Sequence, residues 1–300
     1  MINEFKETFG IDGHVGFHFG KGHMPKAIIE NEFASAEVYL HGAHVTAFHP
    51  HNSSPVLWMS NIAEFRHDKA IRGGIPVVWP WFGPHPNDDT KPQHGFARIS
   101  EWTLVSTTAL SNGFTQLRLQ LSDIETTQTL CPRPFELELS VTVGTQLHID
   151  LVSRNIGTEP FIIGGALHTY FSIGDINRIT IEGLEGREYL DQLQGHQTNL
   201  QKGTITISEE VDRIYFNTDD ECIISDPVMK RHIHVAKMGS NTTVVWNPWI
   251  AKSQHMSDFP DDGFRTMVCI EATNAVDDVY HILPGEEHTL TQIISVDDKY

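Results

Sequence analysis

The side chains best equipped for chemistry begin with two arginines in residues 71–102, IRGGIPVVWPWFGPHPNDDTKPQHGFARISEW. Arg72 precedes Gly73 and Gly74, and Arg98 closes the run Gln93, His94, Gly95, Phe96, Ala97, Arg98. Glycine permits close backbone approach to a ligand and lets N–H groups converge on it. Two guanidinium groups beside such a loop suit an oxyanion, phosphate above all. The alternative is that each arginine pairs with one of the chain's many carboxylates.

A histidine and a glutamate lie further along. In GGALHTY, residues 164–170, a strand would put His168 on the face of Ala166 and Gly164, whose small side chains leave open space beside the imidazole. Histidine titrates near neutrality and can donate a proton; in an apolar segment it can equally be a satisfied core residue. In MVCIE, residues 267–271, Glu271 shares a face with Cys269 and Met267. A carboxylate among apolar neighbours is costly unless it is partnered or its pKa is raised, and a raised pKa suits a general base. A wet strand end is the plainer account of Glu271. Asp212, followed by Arg213, can accept hydrogen bonds from a polyol or simply pair with its neighbour. Trp79, Trp81, Trp246 and Trp249 can stack on the C–H face of a sugar ring or serve as packing.

Eighteen histidines raise the question of a metal. His14 and His18, His232 and His234, and the group His41, His44, His49 and His51 are the local clusters. None carries the further histidine or carboxylate at the spacing a catalytic zinc site needs, so no metal is expected. P-loop, dinucleotide-binding and GxSxG signatures are likewise missing from the sequence. With 39 acidic and 21 basic residues the chain carries a net charge of −18, which repels nucleic acid and anionic lipid. Cys131, Cys222 and Cys269 are widely spaced, which fits neither a disulfide framework nor a cysteine zinc site. Residues 1–10 lack the apolar core of a secretory signal, and no apolar run reaches membrane-spanning length, so a cytoplasmic protein is expected.

The elements that must position these groups read as strands. Phe135, Leu137, Leu139, Val141 and Val143 alternate with Glu136, Glu138, Ser140 and Thr142, and the pattern resumes after Gly144 at Leu147, Ile149 and Leu151. That is a hairpin of half-buried antiparallel strands. Further strands are expected at 37–40, 44–48, 116–121, 178–182, 203–207, 222–225, 242–246, 267–272 and 289–296. A short connecting helix is expected near 61–69. Many short strands with frequent turns predict an all-β chain, a large antiparallel β-sandwich with few short helices. Residues 1–24 are expected as an N-terminal arm or edge segment, and 25–300 as a single domain. Residues 71–102, rich in proline, glycine and tryptophan, fit an ordered functional loop on that scaffold.

The segments IRGGIPVVWPWFGP, QHGFAR, ALHTYFSIGDI, VDRIYFN, VVWNPW and DDGFRTMVCIEA occur in this order. Together they resemble the glucose-6-phosphate 1-epimerase (D-hexose-6-phosphate mutarotase) family of the galactose mutarotase-like superfamily, from about Pro25 onward. The resemblance implies a large antiparallel β-sandwich binding the sugar on one sheet, with neither metal nor organic cofactor. It implies His168 and Glu271 as the catalytic pair and Arg72, Gln93, His94, Arg98 and Asp212 as substrate-binding residues. The insertion-like HPNDDTKP before QHGFAR is a departure that can reshape the mouth of the cleft.

The implied reaction exchanges the α and β anomers of a hexose 6-phosphate. Glu271 takes the proton of the anomeric hydroxyl while His168 protonates the ring oxygen, and the roles reverse on reclosure. A bell-shaped pH profile is expected. The other readings are an aldose 1-epimerase acting on unphosphorylated sugars and a non-catalytic carbohydrate-binding sandwich. A monomer acting on a small-molecule substrate is expected, without nucleic-acid or membrane partners.

Overall fold

Alternating apolar residues become strand Phe135–Val143, with Phe135, Leu137, Leu139, Val141 and Val143 all buried. It pairs with Gln146–Asn155 across the short turn that carries Gly144. The computed structural model, which describes residues 1–122, 125–195 and 197–297, places this hairpin in an eight-stranded antiparallel sheet. Strand order there is Thr180–Glu182, Cys222–Asp226, Arg231–Met238, Glu287–Asp297, Gln146–Asn155, Phe135–Val143, Thr115–Ser122, Thr103–Ala109.

A second eight-stranded sheet carries the candidate chemistry. Its order is Gln197–Leu200, Glu188–Asp191, Val211–Phe216, Thr242–Asn247, Met267–Asn274, Gly165–Leu167, Val77–Val78, with Tyr170–Ser172 also paired to Met267–Asn274. One hydrophobic cluster joins residues of both sheets, among them Leu119, Leu139, Ile149 and Ile294 from the first and Val245, Val268 and Ile270 from the second. Each such side chain contributes roughly 1.5–3 kcal/mol when taken fully out of water. The amide of Gln292 bridges the layers, donating to the Ile270 carbonyl at 3.2 Å while its oxygen accepts from the Thr169 hydroxyl. Every residue of Met267–Asn274 is buried. That is why its first half, Met267 to Ile270, reads as an unbroken apolar run, while the buried Glu271, Thr273 and Asn274 follow in the second half.

Before these sheets come four antiparallel strands, Val15–Phe19, Pro25–Glu30, Ala34–Tyr39 and His44–Pro50. Helix Ile2–Phe9 leans on the first of them, with the ring of Phe5 5.7 Å from that of Phe17. Residues 61–69, expected as a helix, instead form turns. The Ser60 hydroxyl accepts from the Ile62 N–H, and i→i−3 bonds such as Lys69 N–H to the Arg66 carbonyl replace a helical ladder. The 203–207 segment makes only an isolated bridge, Ile205 to Ile181, after Gly203 turns the chain at φ 65°. Among the described residues no helix is long and apolar enough to cross a membrane.

Candidate active site

Sheet register sets the central pair. Leu167 pairs with Ala272 and Tyr170 with Cys269, so the intervening His168 lies opposite Glu271. The strand breaks at this point: the His168 N–H turns to the Pro76 carbonyl at 3.1 Å. His168 Nδ1 stands 3.4 Å from Glu271 Oε1, and neither that nitrogen nor Glu271 Oε2 has a hydrogen-bond partner among the described residues. On the neighbouring strand Val244 lies opposite Glu271 and Trp246 opposite Cys269, and one strand further Asp212 lies opposite Trp246. Alternation sends these side chains to one face.

That face forms the floor of a cavity of about 350 Å³, lined by Arg72, Gln93, His94, Arg98, His168, Asp212 and Glu271 together with Tyr170, Trp246, Gln192 and Lys252. All seven residues singled out in the sequence thus meet in one space, of a size that suits a small ligand. Of the four candidate tryptophans only Trp246 lines it. Trp79 is core, its indole N–H donating to Ser153 Oγ at 3.0 Å, Trp81 lines a different cavity, and Trp249 packs on Phe264.

The two arginines differ. Arg72 pairs with Asp258, Nε to carboxylate 3.2 Å, and its Nη1 donates to the Tyr170 hydroxyl at 3.0 Å. Arg98 donates to the Gln93 carbonyl at 2.7 Å and has no carboxylate within ion-pair distance among the described residues. Burial, with Arg72 nearby, lowers Arg98 to about 10, so it stays cationic at neutral pH. Both arginines also line a second cavity of about 350 Å³, with Lys69, Tyr170, His255, Met256 and Asp258, so they stand where the two spaces meet.

His94 is held by Gly83, whose N–H donates to His94 Nδ1 at 3.2 Å. Nδ1 is therefore the acceptor, the neutral ring carries its proton on Nε2, and that nitrogen remains a donor. Burial and the adjacent Arg98 keep the ring neutral. At φ 62° His94 precedes Gly95, where a Cβ would stand 1.9 Å from the Trp79 carbonyl oxygen. Glycine is required there to bring this loop against the sheet.

Burial pushes Glu271 well above the usual carboxylate range, with Asp212 adding to the effect and Arg98 opposing it. Burial, followed by the charges of Arg98 and Arg72, pushes His168 well below the usual imidazole range. The two shifts therefore favour an un-ionised carboxyl beside a neutral ring. Asp212 is also raised by burial, although Lys252 and Gln192 oppose the shift. Gln192 donates to Asp212 Oδ1 at 2.6 Å, and Lys252 Nζ lies 3.7 Å from Oδ2.

Two local expectations are corrected. Gly73 and Gly74 serve the fold: a Cβ on Gly74 would meet the Val45 carbonyl oxygen at 2.3 Å, and its N–H is spent on the Trp58 carbonyl. Gly164 opens onto the cavity beside Trp81, not onto the imidazole. Tyr170, Gln192 and Lys252 escaped the sequence reading. Tyr170 was within reach of it, since two residues beyond His168 a strand returns to the same face, and its ring stacks on the imidazole at 4.9 Å. Gln192 and Lys252 carry no local signal.

Comparison with known proteins gives the same direction. A family model described as aldose 1-epimerase matches residues 25–295. A protein of Escherichia coli strain K12 named as a candidate glucose-6-phosphate 1-epimerase is 38% identical over 249 residues, 83% of this chain and 82% of its own length. One of the same name from Cenchrus ciliaris is 36% identical over 263 residues, 84% of this chain and 78% of its own. The crystal structure of a candidate mutarotase from Salmonella typhimurium matches with a TM-score of 0.89 at 30% identity, over 99% of each chain. With the family model spanning nearly the whole sequence, the chain belongs to the aldose 1-epimerase family.

Proposed function

We propose that this enzyme interconverts the α and β anomers of a hexose 6-phosphate, with His168 and Glu271 as the proton-transfer pair and Arg72 and Arg98 binding the phosphate. The observation that carries the reading is the pair of orphaned polar atoms, His168 Nδ1 and Glu271 Oε2, buried in a polar cavity. Unpartnered buried polar atoms are destabilising, and a ligand's hydroxyl and ring oxygen would supply the missing partners.

The reaction needs one proton to leave and one to arrive. The base takes the proton of the anomeric hydroxyl as the bond from C1 to the ring oxygen breaks, and the acid protonates that oxygen. The open aldehyde rotates about C1–C2, and the former ring oxygen attacks the other face of C1 while the two protons return. The enzyme ends with the proton count it began with, so a pair sharing one proton suffices. Each positioned group typically contributes about 10²–10⁴-fold.

Phosphate fits the arginines. In a chain of net charge −18, Arg98 has no carboxylate within ion-pair distance among the described residues, and it lines both cavities together with Arg72. A dianion there also offsets the two charges that, after burial, most disfavour protonation of His168. The bound substrate thereby shifts the shared proton toward the imidazole, leaving Glu271 as the base. His94, Asp212, Gln192 and Gln93 remain to hold the sugar hydroxyls, with Trp246 against the ring. We take the working unit to be a single chain.

The test is kcat/KM for anomer exchange on glucose 6-phosphate and on glucose. A strong preference for the phosphorylated sugar supports the reading. Equal values would make the enzyme a general aldose epimerase, and saturable binding without faster exchange of either sugar would make it a binding module.

A further inference from the structure

Outside this site, three side chains from separate segments converge on one point. His41 follows strand Ala34–Tyr39, His67 lies in the turns of residues 61–69, and Glu101 follows the Arg98 loop. Their donor atoms all lie within 4.8 Å of one another. His41 is fully buried, and its Nε2 stands 2.8 Å from the Lys69 carbonyl oxygen. A carbonyl can only accept, so Nε2 carries a proton and Nδ1 is the ring nitrogen that can offer a lone pair to a metal. That nitrogen faces Glu101 Oε1 at 3.0 Å, and His67 Nδ1 faces the same oxygen at 2.7 Å. The shared carboxylate oxygen is satisfied either by a proton on the facing ring nitrogens or by a cation held among the three atoms.

We infer that His41, His67 and Glu101 form a binding site for a divalent transition cation, with zinc the best chemical match. Two imidazole nitrogens and one carboxylate oxygen are a three-ligand zinc set that leaves a fourth position for water. The Lys69 carbonyl on His41 Nε2 is the outer hydrogen bond that ligating histidines commonly make, fixing both tautomer and ring orientation. Bonds of about 2.0–2.2 Å at tetrahedral angles put neighbouring donors about 3.4 Å apart, so the cluster must open by about half an ångström. His67 and Glu101, with side chains 65% and 50% exposed, can make that adjustment while His41 stays fixed. Nearby cations do not compete for the carboxylate: Lys69 Nζ is 2.8 Å from Glu64, and Arg66 is 2.6 Å from Asp68.

The rest of the frame is rigid. His41 and Glu101 are bridged through their backbones, and the Gly42 N–H donates to the Ser100 carbonyl at 2.7 Å. His67 and Lys69 lead into Arg72, and Glu101 follows Arg98 by one short 3-10 turn. A bound cation therefore ties together the two segments that deliver the arginines. Sequence spacing could not show the site, because its ligands lie on three segments that only the fold assembles.

The test is calorimetric titration of zinc chloride into metal-stripped wild-type protein, His67→Ala and Glu101→Gln at about pH 8, where ordinary imidazoles are neutral. Zinc held elsewhere, for instance by His168, Cys269 and Glu271, appears in all three isotherms and cancels in the comparison. One saturable zinc in wild type, weakened at least about tenfold or lost in both variants, is the expected result. Zinc should also raise the thermal midpoint of wild type more than that of His67→Ala. The exposed His67 makes its variant safe for folding. Indistinguishable isotherms for wild type and His67→Ala would overturn the assignment and leave the cluster as a histidine–carboxylate ion pair.

Discussion

His168 Nδ1 and Glu271 Oε1 stand 3.4 Å apart in a buried cavity, placed opposite each other by sheet register. They are in ion-pair range, yet His168 Nδ1 has no hydrogen-bond partner among the described residues. Register between two strands is among the most firmly specified features of a sheet, because a one-residue slip would turn every side chain to the wrong face. The pair is thus positioned by the scaffold rather than by a mobile loop.

Such a pair should cost stability. Replacing Glu271 with leucine removes a buried carboxyl that has an unpartnered oxygen, so Glu271→Leu should abolish activity while leaving the thermal midpoint at or above that of wild type. Differential scanning calorimetry checks this. A midpoint several degrees lower would show that the carboxyl is a structural group.

The pH dependence follows from the two opposed shifts. His168, held below the ordinary imidazole range, stays neutral to more acidic pH than a free imidazole. Glu271, held above the ordinary carboxylate range, keeps its proton to less acidic pH than a free carboxylic acid. The one-proton pair is destroyed on the acid side by a second proton and on the alkaline side by loss of its only one. The profile of kcat/KM on glucose, which carries no phosphate to titrate near pH 6, should therefore be bell-shaped, with its acid limb well below about pH 6.5. An acid limb centred on the ordinary imidazole value would show that His168 is not held neutral.

The anion site and the pair should be electrically coupled. The charged and titratable groups around His168 include Arg72, Arg98, Glu271, Tyr170, His94, Cys269 and His44, and the arginines are those that disfavour its protonation most after burial. Sulfate, whose charge is constant across the range, should raise the pKa of His168 when it binds, as followed by NMR of the ring. In Arg98→Ala the shift should shrink or vanish. The same variant should lose far more kcat/KM on glucose 6-phosphate than on glucose, by at least about tenfold, since a charge-assisted contact is worth about 1.5–3 kcal/mol. Equal penalties on the two sugars would place the phosphate elsewhere.

Much of this was legible in the residues themselves. Strand alternation in 135–151 gives the hairpin directly, and the ordered motifs pick out seven of the residues that line the cavity. What was not legible depends on distance in space. The pairing of Arg72 with Asp258 spans 186 positions, and that Arg98 has no such partner among the described residues is visible only once the chain is folded. The glycines misled for the opposite reason. Gly73 and Gly74 have the composition of a ligand loop, but their space is taken by the backbones of Trp58 and Val45. The 61–69 segment has helix-compatible residues, yet the Ser60 hydroxyl and local ion pairs stabilise turns instead.

Gly95 links fold to site and offers a structural check. At φ 71°, with a Cβ position 1.9 Å from the Trp79 carbonyl oxygen, it has no room for alanine. Gly95→Ala should destabilise the protein by more than about 1 kcal/mol and, by displacing His94, raise KM. Denaturant melts and steady-state kinetics measure both. Wild-type stability together with wild-type KM would show that the loop is not pinned as described.

The central claim is that the His168–Glu271 pair carries anomer exchange. Saturation-transfer NMR of α- and β-glucose 6-phosphate at equilibrium measures that exchange directly, with wild type, His168→Ala and Glu271→Gln at equal concentration. Wild type should accelerate the interconversion, and each variant should fall by at least about 10²-fold while circular dichroism shows a folded chain. A folded variant of either kind that exchanges the anomers at nearly the wild-type rate would contradict the account.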